Sequence, residues 1–252
     1  MRVRWFLLVC CLCSLAWGGP VPAQVVRVAV AANFATPMKL LVSRFEKETG
    51  HKALLSVGAT AKLYAQIKSG APFDVFLAAD TDTPARLEQE NAVVPGSRFT
   101  YATGRLMLWS TQADAVDAQG DVLRNGNFKH LAVAAPKLAP YGAAAMQTLT
   151  RLGLMDRLRP KLVLGESIGQ TYSFVATGNA ELGFVAVSQV YVNGKLSQGS
   201  GWLVPAHLHS PLRQDAVLLM GARDNPAAVA LLAFLQSDKS KTEIRSFGYE
   251  TQ

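Results

Sequence analysis

The chain is poor in the residues that most reactive sites are built from. Its three cysteines, Cys10, Cys11 and Cys13, all stand in one apolar N-terminal stretch. If that stretch is removed, the remainder has no thiol, which excludes disulfides, thiolate metal sites and a cysteine nucleophile. Histidine is almost as scarce, with only His51, His130, His207 and His209. His207 and His209 could share a strand face and hold a metal, but without a nearby carboxylate or cysteine they read as surface histidines. There is no P-loop, no G-x-S-x-G turn and no H-E-x-x-H helix, so no motif supports catalysis. Apart from the N-terminal stretch, no apolar run approaches the length of a membrane span, about 20 residues. The formal charge is +7, yet the basic residues are scattered and form no long run. That pattern suits a solvated surface better than a nucleic-acid footprint.

What is present is a globular composition: 252 residues, half of them hydrophobic and 17% charged. This is enough for one large or two small domains with a real core. The N-terminus reads as an export leader over residues 1–23. Arg2 and Arg4 form its charged start, Trp5 to Ala16 its apolar stretch, and Val21-Pro22-Ala23 a small-residue cleavage site before Gln24. Its apolar stretch is too short to span a bilayer, which favours a cleaved leader over an anchor. The expectation is an exported, soluble protein.

From Val26 the chain alternates strands and helices. Val28 to Ala31 is a short apolar run, after which Phe34, Met38, Leu41, Val42 and Phe45 fall on one helical face. Pro37 is tolerable in the first turn of that helix, and Gly50 is a plausible stop. Ala53–Val57, Phe73–Ala79, Arg105–Ser110, Leu131–Ala134, Leu162–Leu164, Leu182–Val187, Gly201–Val204 and Ala216–Met220 are the further expected strands. Helices are expected after Thr60, which can cap its helix, and after Asp80-Thr81-Asp82-Thr83, Tyr141-Gly142, Ser167-Ile168 and Asn225-Pro226. The Asp80/Asp82 pair reads as a turn and cap rather than a metal site. This alternation predicts an α/β fold with mostly parallel sheets.

Four strand-to-helix joins are candidate ligand contacts: Asn33, Thr60, Tyr141 and Ile168. In open α/β sheets ligands sit beyond the carboxyl ends of the strands, where these joins lie. Two fall early in the chain and two in the middle, which suits a cleft between two lobes. Orphan N–H groups and the positive dipole end make each helix start favourable to an anion. A site made only of donors also selects by protonation. An anion retaining a proton would set donor against donor, at a cost of about 1–3 kcal/mol, so a fully deprotonated tetrahedral oxyanion fits best.

The residues also resemble a known family, the periplasmic molybdate-binding proteins of ABC importers. The resemblance is carried by VAVAANF (Val28–Phe34), VGATAKLYAQIKSGAPFDVFLAAD (Val57–Asp80), PKLAPYGAAAMQTL (Pro136–Leu149), ELGFVAVS (Glu181–Ser188) and SFGY (Ser246–Tyr249). It implies a two-lobed, type II periplasmic-binding-protein fold with a ligand cleft between the lobes. Residues 24–102 with 212–252 would form lobe 1, and 103–211 lobe 2. It implies that Asn33 and Thr60 contact the oxyanion where many members have serine, through the Asn NH₂ and the Thr hydroxyl. It further implies that Tyr141 supplies a hydroxyl and Ile168 a backbone amide, with Ala32, Ala61 and Gly142 as additional backbone neighbours. Other members place their tyrosine where this chain has Ala186, so that contact is absent. The ligand would be molybdate, and tungstate with it, molybdenum entering only as the bound oxyanion. No cofactor is implied, and the partner would be an inner-membrane ABC importer permease served by a monomeric binding protein.

Three other readings remain open at this level. Sulfate, phosphate or an organic carboxylate could replace molybdate as ligand. The two-lobed fold can also serve an enzyme, though no nucleophile or acid/base set is evident. A basic nucleic-acid binder conflicts with the export leader.

Overall fold

The computed structural model describes residues 23–192 and 194–251; the leader expected over residues 1–23 lies, except for Ala23, outside the described residues. In chain order the first elements are β1 (Val25–Ala31), α1 (Ala35–Thr49), β2 (Lys52–Gly58), α2 (Thr60–Lys68), β3 (Val75–Leu77), α3 (Asp82–Gln89), β4 (Phe99–Gly104) and β5 (Leu106–Ser110). A short α4 (Val122–Asn125) leads to β6 (Leu131–Ala134), α5 (Pro140–Arg151), a short α6 (Met155–Leu158), β7 (Leu162–Gly165) and α7 (Ile168–Ala176). Next come β8 (Leu182–Ala186), α8 (Val187–Val190), the small hairpin β9 (Tyr191–Val192) and β10 (Lys195–Leu196), and β11 (Ser200–Leu203). The chain ends with β12 (Leu212–Leu218), α9 (Pro226–Gln236) and α10 (Asp238–Ser246).

These strands form two five-stranded sheets, ordered β2-β1-β3-β12-β4 and β11-β5-β8-β6-β7. The expected mostly parallel sheets are instead mixed. In the first, β1 pairs parallel with β2 and β3, while β12 runs antiparallel to β3 and β4. In the second, β6 pairs parallel with β7 and β8, while β5 runs antiparallel to β8 and β11. The antiparallel strands are those on either side of the two crossings between sheets, β4 to β5 and β11 to β12. Pairing in the first sheet continues to Gly104 opposite Leu212, so the outward crossing falls at Arg105, slightly beyond Ala102.

Strand alternation divides each core. Val26, Val28 and Val30 of β1 face one way, meeting Phe34, Met38, Leu41 and Phe45 around α1 and Leu231 and Leu235 of α9. Ala29 and Phe76 face the other way, under Leu63 of α2 and Leu87 of α3. In the second sheet Leu108, Val133 and Phe184 pack on Ala145 and Leu149 of α5, while Trp109, Ala132 and Val185 meet Val175 on the α7 side. Apolar side chains on both faces explain why these strands read as continuous hydrophobic runs.

Local chemistry differs from the sequence expectation in several places. β4 is a strand that the expected set does not include, although its Phe-Thr-Tyr-Ala-Thr run is made largely of strand-favouring residues. Ala59, rather than Thr60, is the N-cap of α2. Asp80, by contrast, closes a turn by accepting from Thr83 N and Thr83 Oγ1 at 2.9 and 3.1 Å. His207 lies in a 3-10 turn and not on a strand, and the nearby His209 is buried. The single long C-terminal helix expected after Pro226 is two helices, broken at Ser237, whose side chain caps α10.

Asn225 caps α9 as its sequence predicts, accepting from Ala227 N at 3.0 Å, and its Nδ2 donates to Val25 O of β1 at 3.0 Å. Loss of such a cap costs about 1 kcal/mol. Asn225→Ala should therefore lower the melting temperature by about 2–4 °C in a calorimetric scan.

Candidate functional site

The four joins singled out from the sequence meet at one point between the sheets. Asn33, Thr60, Tyr141 and Ile168 line a small cavity together with Ala31, Ala32, Gly58, Ala59, Ala79, Ala139 and Pro140. Its free volume is about 10 Å³, about enough for one water molecule. Among the described residues, no charged side chain lines it. Of the three additional neighbours, Ala32 lines the cavity but Ala61 and Gly142 do not. Ala61 N donates across the cleft to Leu138 O at 3.2 Å, and Gly142 N donates to Ala139 O at 3.0 Å. Gly142 has a packing reason of its own, since a Cβ there would overlap the carbonyl of Ala134 on β6.

Each wall is a helix start. A 3-10 turn, Ala32–Phe34, follows β1 and runs into α1. Thr60 begins α2, Pro140 and Tyr141 begin α5, and Ile168 begins α7. The first N–H groups of a helix have no intrahelical acceptor, so the cavity is ringed by donors and positive dipole ends from both lobes. Pro140 at the first position of α5 gives up no hydrogen bond, because that N–H would be unpaired anyway. Ser167 caps α7 by accepting from Gln170 N at 3.2 Å, leaving the N–H of Ile168 without a partner in its own helix.

The hydroxyls are held so that their protons remain to be given. Thr60 Oγ1 accepts from Ala79 N at 3.1 Å, and Tyr141 Oη accepts from Gln214 Nε2 at 3.1 Å. Burial pushes the Tyr141 and Tyr101 hydroxyls well above the ordinary tyrosine range, and that of Tyr249 up to about 12. All three therefore stay protonated at physiological pH.

Behind the cavity lies a polar cluster with little signature in the sequence. Gln214 of β12 is fully buried. Asn33 Nδ2 stands 2.7 Å from Gln214 Oε1 and 2.9 Å from Tyr249 Oη, so both of its hydrogens are engaged within the protein. This differs from the expected role of the Asn33 NH₂ toward a ligand: it is Oδ1 that lacks any hydrogen-bond partner, although it is buried. Tyr101 Oη lies 2.8 Å from Ala78 O and 2.9 Å from Gln214 Oε1. Ser188 Oγ, from lobe 2, donates to Asn33 O at 2.8 Å. Tyr249 was visible only within the SFGY motif. Gln214 sits in the polar triplet Arg213-Gln214-Asp215, which reads as the approach to a strand rather than part of one. Tyr172 and Tyr191 lie away from the cavity: Tyr172 stacks on Trp109 at 5.3 Å, and Tyr191 forms part of the β9–β10 hairpin.

The cleft is shut over the cavity. Besides the Ala61–Leu138 bond, Lys62 and Glu166 form an ion pair across it at 2.7 Å. A larger groove of about 370 Å³ runs alongside, lined by Asp80, Asp82 and Thr83 on one lobe and by Lys137 and Gln147 on the other. Its two carboxylates face one lysine, which gives an anion no net attraction. The small cavity, with surplus donors and no charge, is the better candidate site.

Comparison with known proteins agrees with this geometry. The family model described as bacterial extracellular solute-binding protein matches residues 26–250. The chain is 58% identical over 230 residues to a molybdate-binding protein, ModA, of Azotobacter vinelandii, covering 91% of each chain. It is 48% identical over 233 residues to ModA of Rhodobacter capsulatus, covering 92% of this chain and 91% of that one. A solved structure of an Azotobacter vinelandii periplasmic molybdate-binding protein superposes with a TM-score of 0.87 at 39% identity, covering 90% of this chain and 99% of that one. With its two mixed sheets closed on a cavity at four helix starts, the chain has the periplasmic-binding-protein fold and belongs to the bacterial extracellular solute-binding proteins.

Proposed function

We propose that the protein captures molybdate and delivers it to the permease of an ABC importer, without turning it over. The observation that carries this reading is the convergence of helix starts and spare hydroxyl protons, from both lobes, on a small cavity free of charge. Backbone N–H groups and hydroxyls satisfy anion oxygens without a counter-ion. So small a cavity argues against a bulky organic carboxylate. Its excess of donors favours one that carries no proton, and that disfavours hydrogen phosphate. Tungstate, equal in shape and charge, belongs to the same ligand class. Names and identities of the relatives support molybdate over sulfate.

In this reading Asn33, Thr60, Tyr141 and Ile168 form the ligand shell, Ala32 adds a backbone neighbour, and the two lobes are residues 24–104 with 212–252 and residues 105–211, the outward boundary moved from 102 to the end of β4. The leader over residues 1–23 sends the chain to the periplasm, where it works as a monomer. The lobes part to admit the anion. Closure on it is a population shift driven by contacts that only the closed form makes, and the closed pair of lobes is what a permease reads.

Calorimetric titration of the mature chain, Gln24 to Gln252, should give one-to-one binding of molybdate that excess sulfate or phosphate does not displace. Tight sulfate binding that molybdate cannot compete with would overturn the reading. A hydrogen bond to a charged group contributes about 1.5–3 kcal/mol, so Tyr141→Phe and Thr60→Val should each weaken binding about 10- to 100-fold.

Gly104 offers a test from outside the ligand shell. A Cβ on it would overlap Tyr141 Oη and come within 2.6 Å of Gln214 Nε2. Gly104→Ala should therefore weaken molybdate binding by displacing the Tyr141 hydroxyl, while circular dichroism still shows a folded protein. Because the buried tyrosines hold their protons above the ordinary range, affinity should stay level from about pH 7 to 9. A fall across that window, on titration at each pH, would contradict their role as donors.

A further inference from the structure

Gln214 is fully buried on the strand that returns the chain to lobe 1, and it touches ligand-shell residues of both lobes. It stands 2.7 Å from the Asn33 carboxamide, 3.1 Å from Tyr141 Oη and 2.9 Å from Tyr101 Oη. As arranged, two polar groups are poorly served. Asn33 Oδ1 is buried without a partner, and Asn33 lines the cavity. An anion there would meet a carbonyl oxygen. The single proton of Tyr101 is also shared between two acceptors, Ala78 O and Gln214 Oε1.

A carboxamide has ends of nearly equal shape, so a half-turn exchanges donor and acceptor and moves no neighbour. Turning Asn33 alone would set its oxygen against that of Gln214. Turning both pairs Asn33 Oδ1 and settles the proton of Tyr101. Gln214 Nε2 then donates to Asn33 Oδ1 and to Tyr101 Oη, and Tyr101 gives its proton to Ala78 O. Tyr249 Oη moves its proton from Asn33 O to Asn33 Oδ1, and Asn33 O keeps the bond from Ser188 Oγ. Asn33 Nδ2 now faces the cavity with hydrogens to give. Gln214 Oε1 faces Tyr141 Oη and accepts its proton when the cavity holds no anion. An anion that takes that proton, by a charge-assisted bond about twice as strong as a neutral one, leaves Gln214 Oε1 without a donor, a loss set against the charge-assisted bonds that Asn33 Nδ2 then gives.

We infer that Gln214 is a positioning residue for the anion site: its carboxamide turns together with that of Asn33 and decides whether the cavity is offered an oxygen or an NH₂. The inference rests on the proposed oxyanion ligand and adds a residue that touches no ligand. It makes the site responsive to charge. A dianion stabilises the paired arrangement with Asn33 NH₂ inward to the cavity, whereas the opposite arrangement suits a ligand that brings a proton of its own.

A double-mutant cycle on molybdate affinity tests this with wild type, Gln214→Met, Asn33→Ser and the double variant. Serine is too short to reach position 214, so it removes the route from Gln214 through position 33 and leaves only its bond to Tyr141 Oη. Gln214→Met should weaken molybdate binding about tenfold when Asn33 is present and only about threefold in the Asn33→Ser background. Equal losses in both backgrounds, or no loss in either, would overturn the inference, because a merely structural residue is blind to what stands at position 33. Thermal unfolding of the same four proteins registers any packing loss separately. A second measurement needs no variant: neutron diffraction from wild-type crystals grown with molybdate. Deuterium on the Gln214 atom facing Asn33 and on the Asn33 atom facing the anion is the expected result, and the reverse pattern overturns the inference. If wild type binds no molybdate at all, the functional reading fails and the inference falls with it; tight wild-type binding with an additive cycle defeats the inference alone.

Discussion

A closed cavity without a charged wall has to satisfy its contents with dipoles, and the rest of the architecture follows from that demand. An ion taken out of water into such a space loses several kcal/mol of solvation, and only oriented N–H and O–H groups can replace it. One helix start supplies two or three such groups, too few to surround a tetrahedral ion. Convergence of several starts requires several strand-to-helix turns to end at the same place. The two sheets accomplish this by directing the ends of β1, β2, β6 and β7 toward one another across the cleft. The alternation of strands and helices and the two crossings between sheets are thus conditions for the site as well as for the fold.

Closure and selection depend on the same contacts. Lobe 1 offers Asn33 and Thr60, lobe 2 offers Tyr141 and Ile168, and neither pair encloses a ligand by itself. Among the described residues, the polar contacts that hold the cleft shut without a ligand include Ala61 N to Leu138 O, Ser188 Oγ to Asn33 O, Tyr249 Oη to Ser188 Oγ, Gln214 Nε2 to Tyr141 Oη, and the exposed Lys62–Glu166 pair. An exposed ion pair is worth little, about 0–1 kcal/mol. The balance between open and closed lobes is tipped by the ligand, as a carrier that must also release its cargo requires.

The sequence made the helix starts legible and the cluster behind them almost invisible, for a physical reason. Period changes, Pro37, Gly50, Asn225 and Pro226 are local signals, readable because the helix and strand rules act over a few residues. Asn33, Thr60, Tyr141 and Ile168 could be singled out because a join between elements is a local event. The resemblance to a family added roles for them that no spacing supplied. Gln214 and Tyr101 have no such signature. Their importance comes from pairings between residues far apart in sequence, such as Tyr101 with Gln214 and Gln214 with Asn33. The place of β4 is non-local in the same way: it is held by β12, which returns from the other lobe. The same return accounts for the antiparallel half of each sheet. Thr60 shows how far a correct residue can carry a partly wrong role. It was read as a cap, whereas its hydroxyl accepts from Ala79 N at the end of β3, and this bond is what leaves its proton free.

The excess of positive charge belongs to a different stage of the same task. With a formal charge of +7, two units of which belong to Arg2 and Arg4 of the leader, and its basic residues spread along the chain, the protein draws anions toward its surface at long range, an effect that raises arrival rates and fades with salt. Charge at the site itself would hold any anion of the right sign. By keeping lysine and arginine out of the cavity wall, the fold separates arrival from recognition. Scattered cations gather anions without discrimination, and the uncharged cavity retains those whose oxygens match its donors one for one. A lysine placed in the wall would add attraction for every competing anion alike, and the selectivity that comes from unpaired donors would be diluted by it. An uncharged site is the arrangement that lets a basic protein be selective among anions.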